Sequence, residues 1–369
     1  MIVVILGTRA ELIKTFPLML EFKKQNKEYI FIHTGQHSLG HLCELFGVKN
    51  PDVVITPPPK KSSKFYSRMI KAGLWNLMIV PKIWSALRKI KNIKYVIYHG
   101  DTMSTASAAI ASSRVLNLGK RYGNVHLEAG LRSGSLLEPF PEEISRRICD
   151  KFSDVLLAVS DGTENNLLKE KQKGEIWNVG NTIIDAADWA FKEGKKKGAW
   201  APKGDFALMT IHRHENIKKK KRLSKLAEML ARLPIKTVFP LHDNTKKKFI
   251  DHGLWEKINS NKNLEIVELK GYVDFIYLLG KCKFLITDGG SIQEESLVFK
   301  KPCILLRKFT ERDEGLDTGL NFLTDLNVSK AMKLIDVAVK GGFKVNKFKN
   351  PYGEVGVSKE IVRRLFGIK

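Results

Sequence analysis

The stretch HLEAGLRSGSLLEPFPEEISRR, residues 126–147, crowds two kinds of reactive side chain together: the carboxylates of Glu128, Glu138, Glu142 and Glu143, and the guanidiniums of Arg132, Arg146 and Arg147. Carboxylates backed by fixed positive charge move protons to and from carbon and steady the charge that develops. HGDT (99–102) adds Asp101, and TIHRHEN (210–216) adds His212. Each has a structural alternative. Asp101 could cap a helix opening near Ser104, Glu142 and Arg146 could form an i, i+4 pair on one helix face, and His212 could be a satisfied loop histidine. Position favours chemistry for Asp101, Glu128, Glu142, Arg146 and His212, which all fall at apolar strand ends or in the loops that follow. Glu138, Glu143 and Arg147 read as surface.

Two turns suit anions. GTRAELIK (7–14) leaves a strand through Gly7 and enters a helix whose first N–H groups attract negative charge, with Arg9 and Lys14 beside it. TDGGSIQEE (287–295) repeats the arrangement: Gly289 and Gly290 permit close backbone approach, a helix opens at Ser291, and Glu294 or Glu295 can accept from ribose hydroxyls. Downstream, RKFTERDEG offers Arg312. Neither turn is GxGxxG or a P-loop, so a diphosphate fits better than a dinucleotide.

The elements that must hold these residues alternate strand and helix. Near-continuous apolar runs at 2–6, 29–34, 53–56, 95–99, 124–128, 154–159 and 176–179, then at 206–211, 237–240, 264–268, 284–287 and 303–306, predict parallel strands buried on both faces. The fold class expected is α/β: two Rossmann-like doubly wound domains facing a cleft, residues 1–170 and 171–355, with DWAFKEGKKKGAWAPKGD as the connection. In such sheets ligands bind beyond the carboxyl ends of the strands.

Composition sets the outer limits. The 369 residues, 43% hydrophobic and 28% charged, suffice for two ordinary domains. The four cysteines make no metal pattern and read as reduced, buried thiols of a cytoplasmic protein. The net charge of +24 is spread over lysine clusters at 195–197, 218–221 and 246–248 without a nucleic-acid-binding motif, so anionic small molecules are the expected partners and nucleic acid is not. The basic, apolar segment 65–94, broken at Pro81, reads as core or oligomer contact ahead of a membrane surface.

Taken together, GTRAELIK, HGDT, HLEAGLR, PEEISRR, GNTIID, HRHEN, DGGSIQEE and TER resemble, in order and across roughly positions 7–319, the signatures of the non-hydrolysing UDP-N-acetylglucosamine 2-epimerases. The resemblance implies a GT-B-like fold, a C-terminal helix (356–369) that returns to the first domain, a homodimer, no metal or cofactor, and a UDP-sugar substrate whose product feeds surface polysaccharide. It assigns catalysis to Asp101, Glu128, Glu142, Arg146 and His212. Substrate binding falls to Arg9, Lys14, Arg132, Gly289, Gly290, Ser291, Glu294, Glu295 and Arg312. The chemistry implied is loss of UDP from C1 and of the C2 proton to give a glycal, then re-addition after protonation from the opposite face. Three departures stand out: Ala10 replaces the family's usual proline, DGGS replaces DSGG, and SLGHL follows TGQH where a polar sequence contributes to an allosteric substrate site in bacterial enzymes. Activation by substrate is therefore not expected, and the sugar could be a modified relative.

Overall fold

The apolar runs pair into two all-parallel sheets in a computed structural model that describes residues 1–57, 65–134, 141–343 and 348–367, without the side chains of 65–74, 76 and 77. The first sheet holds β1 (Ile2–Leu6), β2 (Tyr29–His33), β3 (Val53–Val54), β4 (Tyr95–His99), β5 (Gly123–Ala129), β6 (Val155–Ala158) and β7 (Glu175–Asn178), in the order β3-β2-β1-β4-β5-β6-β7. The second holds β8 (Ala207–Thr210), β9 (Thr237–Pro240), β10 (Leu264–Val267), β11 (Phe284–Thr287), β12 (Cys303–Leu305) and β13 (Asn321–Leu323), in the order β10-β9-β8-β11-β12-β13. All five residues of β1 are buried, as a central parallel strand covered on both faces requires. Each such Val, Ile or Leu contributes roughly 1.5–3 kcal/mol. Strand β13 was not anticipated, because NFL is too short to stand out as an apolar run.

In each sheet the strand order reverses beside the first strand, between β1 and β4 and between β8 and β11. Loops leaving those strands diverge and open a crevice at their carboxyl ends. Asp101 and His212, with the Gly289–Ser291 turn, sit on such loops.

The backbone divides into one unit of Met1–Ala186 with Tyr352–Lys369 and a second of Ala187–Pro351. The first boundary lies beyond the expected 170, because β7 pairs with β6 and closes the first sheet. Part of the Gly- and Lys-rich connection is helical, within Ile183–Lys196. The helix Val357–Phe366 packs on the helix Arg9–Lys24 of the first unit, and Asp185 accepts from the backbone N–H groups of Gly356 and Ser358 at its start, each at 2.6 Å.

The helix Phe65–Arg88 runs through Pro81 without the expected break. Pro81 is exposed, where the hydrogen bond it forfeits costs least. Ile79, Ile83 and Leu87 enter the core. No helix among the described residues is long and apolar enough to cross a membrane. All four cysteines are buried and unbridged.

Candidate active site

The first cluster of site residues gathers where β4 and β5 end. Thr102, and not Asp101, caps the helix Met103–Ser112 by accepting from Thr105 N. Asp101 is thereby left to its side-chain partner: Arg146 donates to its Oδ2 from Nε at 2.9 Å and from Nη2 at 2.6 Å. The alternative weighed for Glu142 and Arg146, an i, i+4 ion pair, does not form, and Arg146 bonds Asp101 and Glu143 instead. The reach is possible because Met103–Ser112 is, apart from Met103 and Ile110, built of Ala, Ser and Thr, so the helix Glu142–Phe152 packs close against it. Glu142 Oε2 is buried with no hydrogen-bond partner among the described residues, which leaves an acceptor open for a ligand.

Glu128 reaches the same place through a backbone irregularity. Its φ is +65°, a region a non-glycine residue enters at a cost of about 1–3 kcal/mol, and the β5–β6 register shifts between Leu127 and Ala129. The side chain turns into the unit, where Oε1 accepts from Lys14 Nζ at 2.5 Å and from Asn181 Nδ2 at 3.3 Å. Oε2 lies 3.9 Å from His99 Nδ1, and only 3.6 Å from where a Cβ on Gly100 would be, which sets Glu128 beside the Gly100–Asp101 turn. Burial pushes the His99 imidazole down to about 3, against the pull of Glu128, so the ring is neutral. Lys14, expected on the nucleotide, is the buried counter-ion of Glu128.

The first anion turn is filled from within. Glu11 Oε2 accepts from the N–H groups of Gly7 and Thr8, at 2.5 and 3.0 Å, closing a capping box. The expectation of open N–H groups there is corrected. Gly7 is required for packing instead, since a Cβ would lie 2.2 Å from Ser104 Oγ and 2.3 Å from Thr34 Oγ1. Arg9 stays exposed, touching Ser38 O through Nε at 3.3 Å.

One expectation about the opening charged stretch changes as well. Glu143 is fully buried, not surface, and bonds Arg146, Arg147 and Ser133. Arg132, expected to bind substrate, has internal partners: its guanidinium bonds Glu170 at 2.8 and 2.5 Å, Asp150 at 2.7 Å and the Leu131 carbonyl at 2.7 Å. Glu138 lies outside the described residues.

The second cluster forms where β8 and β11 end. Asp288 accepts from the backbone N–H groups of His212 and Arg213, at 3.0 and 3.1 Å, and from Asn216 Nδ2 at 3.0 Å, fixing the HRHEN loop to the DGGS turn. His212 is half-exposed, with Nδ1 3.7 Å from Asp288 Oδ1. Burial lowers its proton affinity in spite of Asp288.

A Cβ placed on Gly290 would lie 3.5 Å from Arg213 Nη2 and 3.7 Å from Arg312 Nη1, so two guanidiniums flank this glycine. Among the described residues Arg213 has no carboxylate within ion-pair distance. Burial and the neighbouring Arg307 lower its proton affinity, with Glu311 opposing. Arg307 instead clamps Glu311, whose carboxyl would rise on burial but is held at about 2 by the two hydrogen bonds. Glu294, expected on a ribose, is completely buried with Arg312 Nε at 2.9 Å, and Glu295 is buried against Tyr272. Ser291 opens the helix Ile292–Val298 without a side-chain cap. Arg312 Nη1 also lies 3.7 Å from Glu311 Oε2; two guanidiniums beside a bare backbone have the donor chemistry to hold an anion such as a diphosphate.

Comparison with known proteins then decides the family. A family described as UDP-N-acetylglucosamine 2-epimerase matches residues 20–366. The chain belongs to the UDP-N-acetylglucosamine 2-epimerase family. Its two units are the Rossmann-like domains of that GT-B-like α/β fold. A UDP-N-acetylglucosamine 2-epimerase of Methanocaldococcus jannaschii is 32% identical over 98% of each chain. The crystal structure of the M. jannaschii UDP-GlcNAc 2-epimerase in complex with UDP-GlcNAc and UDP matches with a TM-score of 0.79 and 31% identity, over 99% of each chain. A Pseudomonas aeruginosa relative, 29% identical over 87% of each chain, is a UDP-2,3-diacetamido-2,3-dideoxy-D-glucuronate 2-epimerase.

In this epimerase-family chain, Arg213, Asp288, Asn181, His99 and Glu11 also belong to the two clusters and were not among the expected site residues. All five lie inside motifs singled out from the sequence. The first four matter through partners that sequence spacing does not reveal, whereas Thr8 and Glu11 have the T-x-x-E spacing of a capping box. No group of three or more His, Cys, Asp or Glu residues among the described residues is arranged to hold a metal ion.

Proposed function

We propose that this chain interconverts UDP-N-acetylglucosamine and UDP-N-acetylmannosamine without hydrolysing them. UDP leaves C1 with the bonding pair, a carboxylate takes the C2 proton, and a 2-acetamidoglucal remains. A carboxylic acid then returns a proton to the other face of C2 while UDP re-adds at C1. The observation that supports this reading is the presence of carboxylates at strand ends of one unit and of two guanidiniums beside a bare glycine turn in the other. Asp101 and Glu128 supply proton-transfer groups at the β4 and β5 ends, and Glu142, one helical turn before the Arg146 that grips Asp101, supplies a third. Arg213 and Arg312 flank the bare Gly290 backbone, where departing UDP would be stabilised, with His212 as a further donor on the neighbouring loop. The reading includes a homodimer in the cytoplasm whose product enters polysaccharide synthesis.

The test is incubation with UDP-N-acetylglucosamine in deuterium oxide, followed by NMR. Deuterium at C2 and an equilibrium mixture of both UDP-sugars are expected. Free N-acetylmannosamine accumulating with UDP would establish a hydrolysing enzyme. Transfer to an added acceptor with an unlabelled C2 would establish a glycosyltransferase. One second reading has specific support: a modified UDP-sugar as substrate, favoured by the diacetamido-glucuronate relative and by SLGHL after TGQH. Competition between the two UDP-sugars separates these.

A further inference from the structure

The reaction proposed above needs Asp101 held in one orientation, and a closed circuit of charge holds it. Arg146 grips Asp101 through Nε and Nη2, and its Nη1 reaches Glu143 Oε2 at 3.3 Å. That same oxygen of Glu143 accepts from Ser133 N at 3.1 Å and Ser133 Oγ at 3.2 Å, while Oε1 accepts from Arg147 Nε at 3.1 Å. From Arg147 the circuit passes to Glu170 at 2.9 Å and to Arg132 at 2.8 Å. It continues through Asp150 and His126, both at 2.7 Å. His126 Nε2 closes the circuit on the carbonyl of Gly100 at 2.8 Å, the residue before Asp101. Asp101 is thus held by its side chain and by the peptide that precedes it.

We propose that Glu143 is a positioning residue for the epimerisation, acting through Arg146 to aim Asp101 at the substrate. The proposal rests on the reaction assigned above. Glu143 has no exposed surface, so its charge is balanced only inside the protein, between Arg146 and Arg147. Without that charge the Arg146 guanidinium loses the anchor opposite Asp101, and both side chains can rotate. A displacement of this kind costs about 10- to 100-fold in the rate of a proton transfer that depends on geometry. None of the circuit's residues is among those proposed above to hold UDP, so binding of UDP should be unchanged.

The experiment measures kcat, KM and melting temperature for the full chain and for Glu143→Gln, Glu143→Asp and Ser133→Ala. Glu143→Gln is expected to lose about 10- to 100-fold in kcat with KM within about twofold. Glu143→Asp, which keeps the charge, should recover much of that loss. Ser133→Ala, which removes one hydrogen bond to Glu143, should lower kcat by about threefold with an unchanged KM. A kcat for Glu143→Gln near that of the unmodified chain overturns the role, as does an Asp variant no better than the Gln variant. Should Glu143→Gln fail to fold, Ser133→Ala decides: a loss confined to kcat supports the role, and an unchanged kcat overturns it. Absence of deuterium uptake by the unmodified chain overturns the reaction itself and the role with it.

Discussion

Replacing Gly290 with alanine separates nucleotide binding from folding more cleanly than any change of charge. The new methyl would lie 3.5 Å from Arg213 Nη2 and 3.7 Å from Arg312 Nη1, which is ordinary van der Waals contact, so nothing in the protein has to move. Gly290 is absent from the positive-φ residues, so alanine adds no backbone strain there. The melting temperature should stay within about 2 °C, as expected for a change that creates neither cavity nor clash. A phosphate between the two guanidiniums, however, would meet the methyl. Losing one or two charge-assisted hydrogen bonds costs about 1.5–3 kcal/mol, or roughly 10- to 150-fold in Kd. Gly289→Ala is the steric comparison: its Cβ would lie 2.8 Å from Ile292 Cγ2 and 3.2 Å from Thr287 Oγ1, so this change should lower the melting temperature. Calorimetric titration with UDP reads the affinity and scanning calorimetry reads the fold. UDP binding to Gly290→Ala within twofold of the unmodified chain would refute the placement of the diphosphate between Arg213 and Arg312.

Other expectations concern the first unit. Asp101→Asn, Glu128→Gln and Glu142→Gln should each nearly abolish deuterium uptake at C2 while UDP still binds, and near-normal turnover in all three removes the site. Glu11→Gln should destabilise the chain by about 1–3 kcal/mol, read in denaturant, because a buried acceptor of N–H groups from Gly7 and Thr8 is exchanged for a weaker one. His99, held neutral down to about 3, makes the folded state bind fewer protons than the unfolded chain below the ordinary histidine range. Stability should therefore fall as pH drops from 6.5, by up to about 1.4 kcal/mol per pH unit. His99→Gln should flatten the melting temperature between pH 6.5 and 5, and an equally steep profile contradicts the assignment.

The sheets were legible in the sequence because burial on both faces leaves a local mark, a short run of Val, Ile and Leu that ends in Gly, Asp or His. That mark also located Asp101, Glu128, His212 and Gly289–Ser291, since a residue just past such a run sits at a carboxyl end wherever the strand lies in its sheet. NFL at β13 and the inclusion of β7 in the first sheet were less legible, because short outer strands leave weak runs and pairing is not a local property.

Which charge meets which was decided by tertiary structure alone. Arg146 could have paired with Glu142 one turn away, yet it bonds Asp101, 45 positions distant, because a helix of small residues lets the two segments approach. Lys14 meets Glu128 across 114 positions, through a bulge that no hydrophobic pattern announces. Glu143 is buried where surface was expected. Ion pairs and hydrogen bonds form over distances below about 4 Å. Sequence spacing fixes such distances only within one turn of helix. The candidate acids were therefore legible in the sequence, while their counter-ions, orientation and supporting circuit belong to the fold.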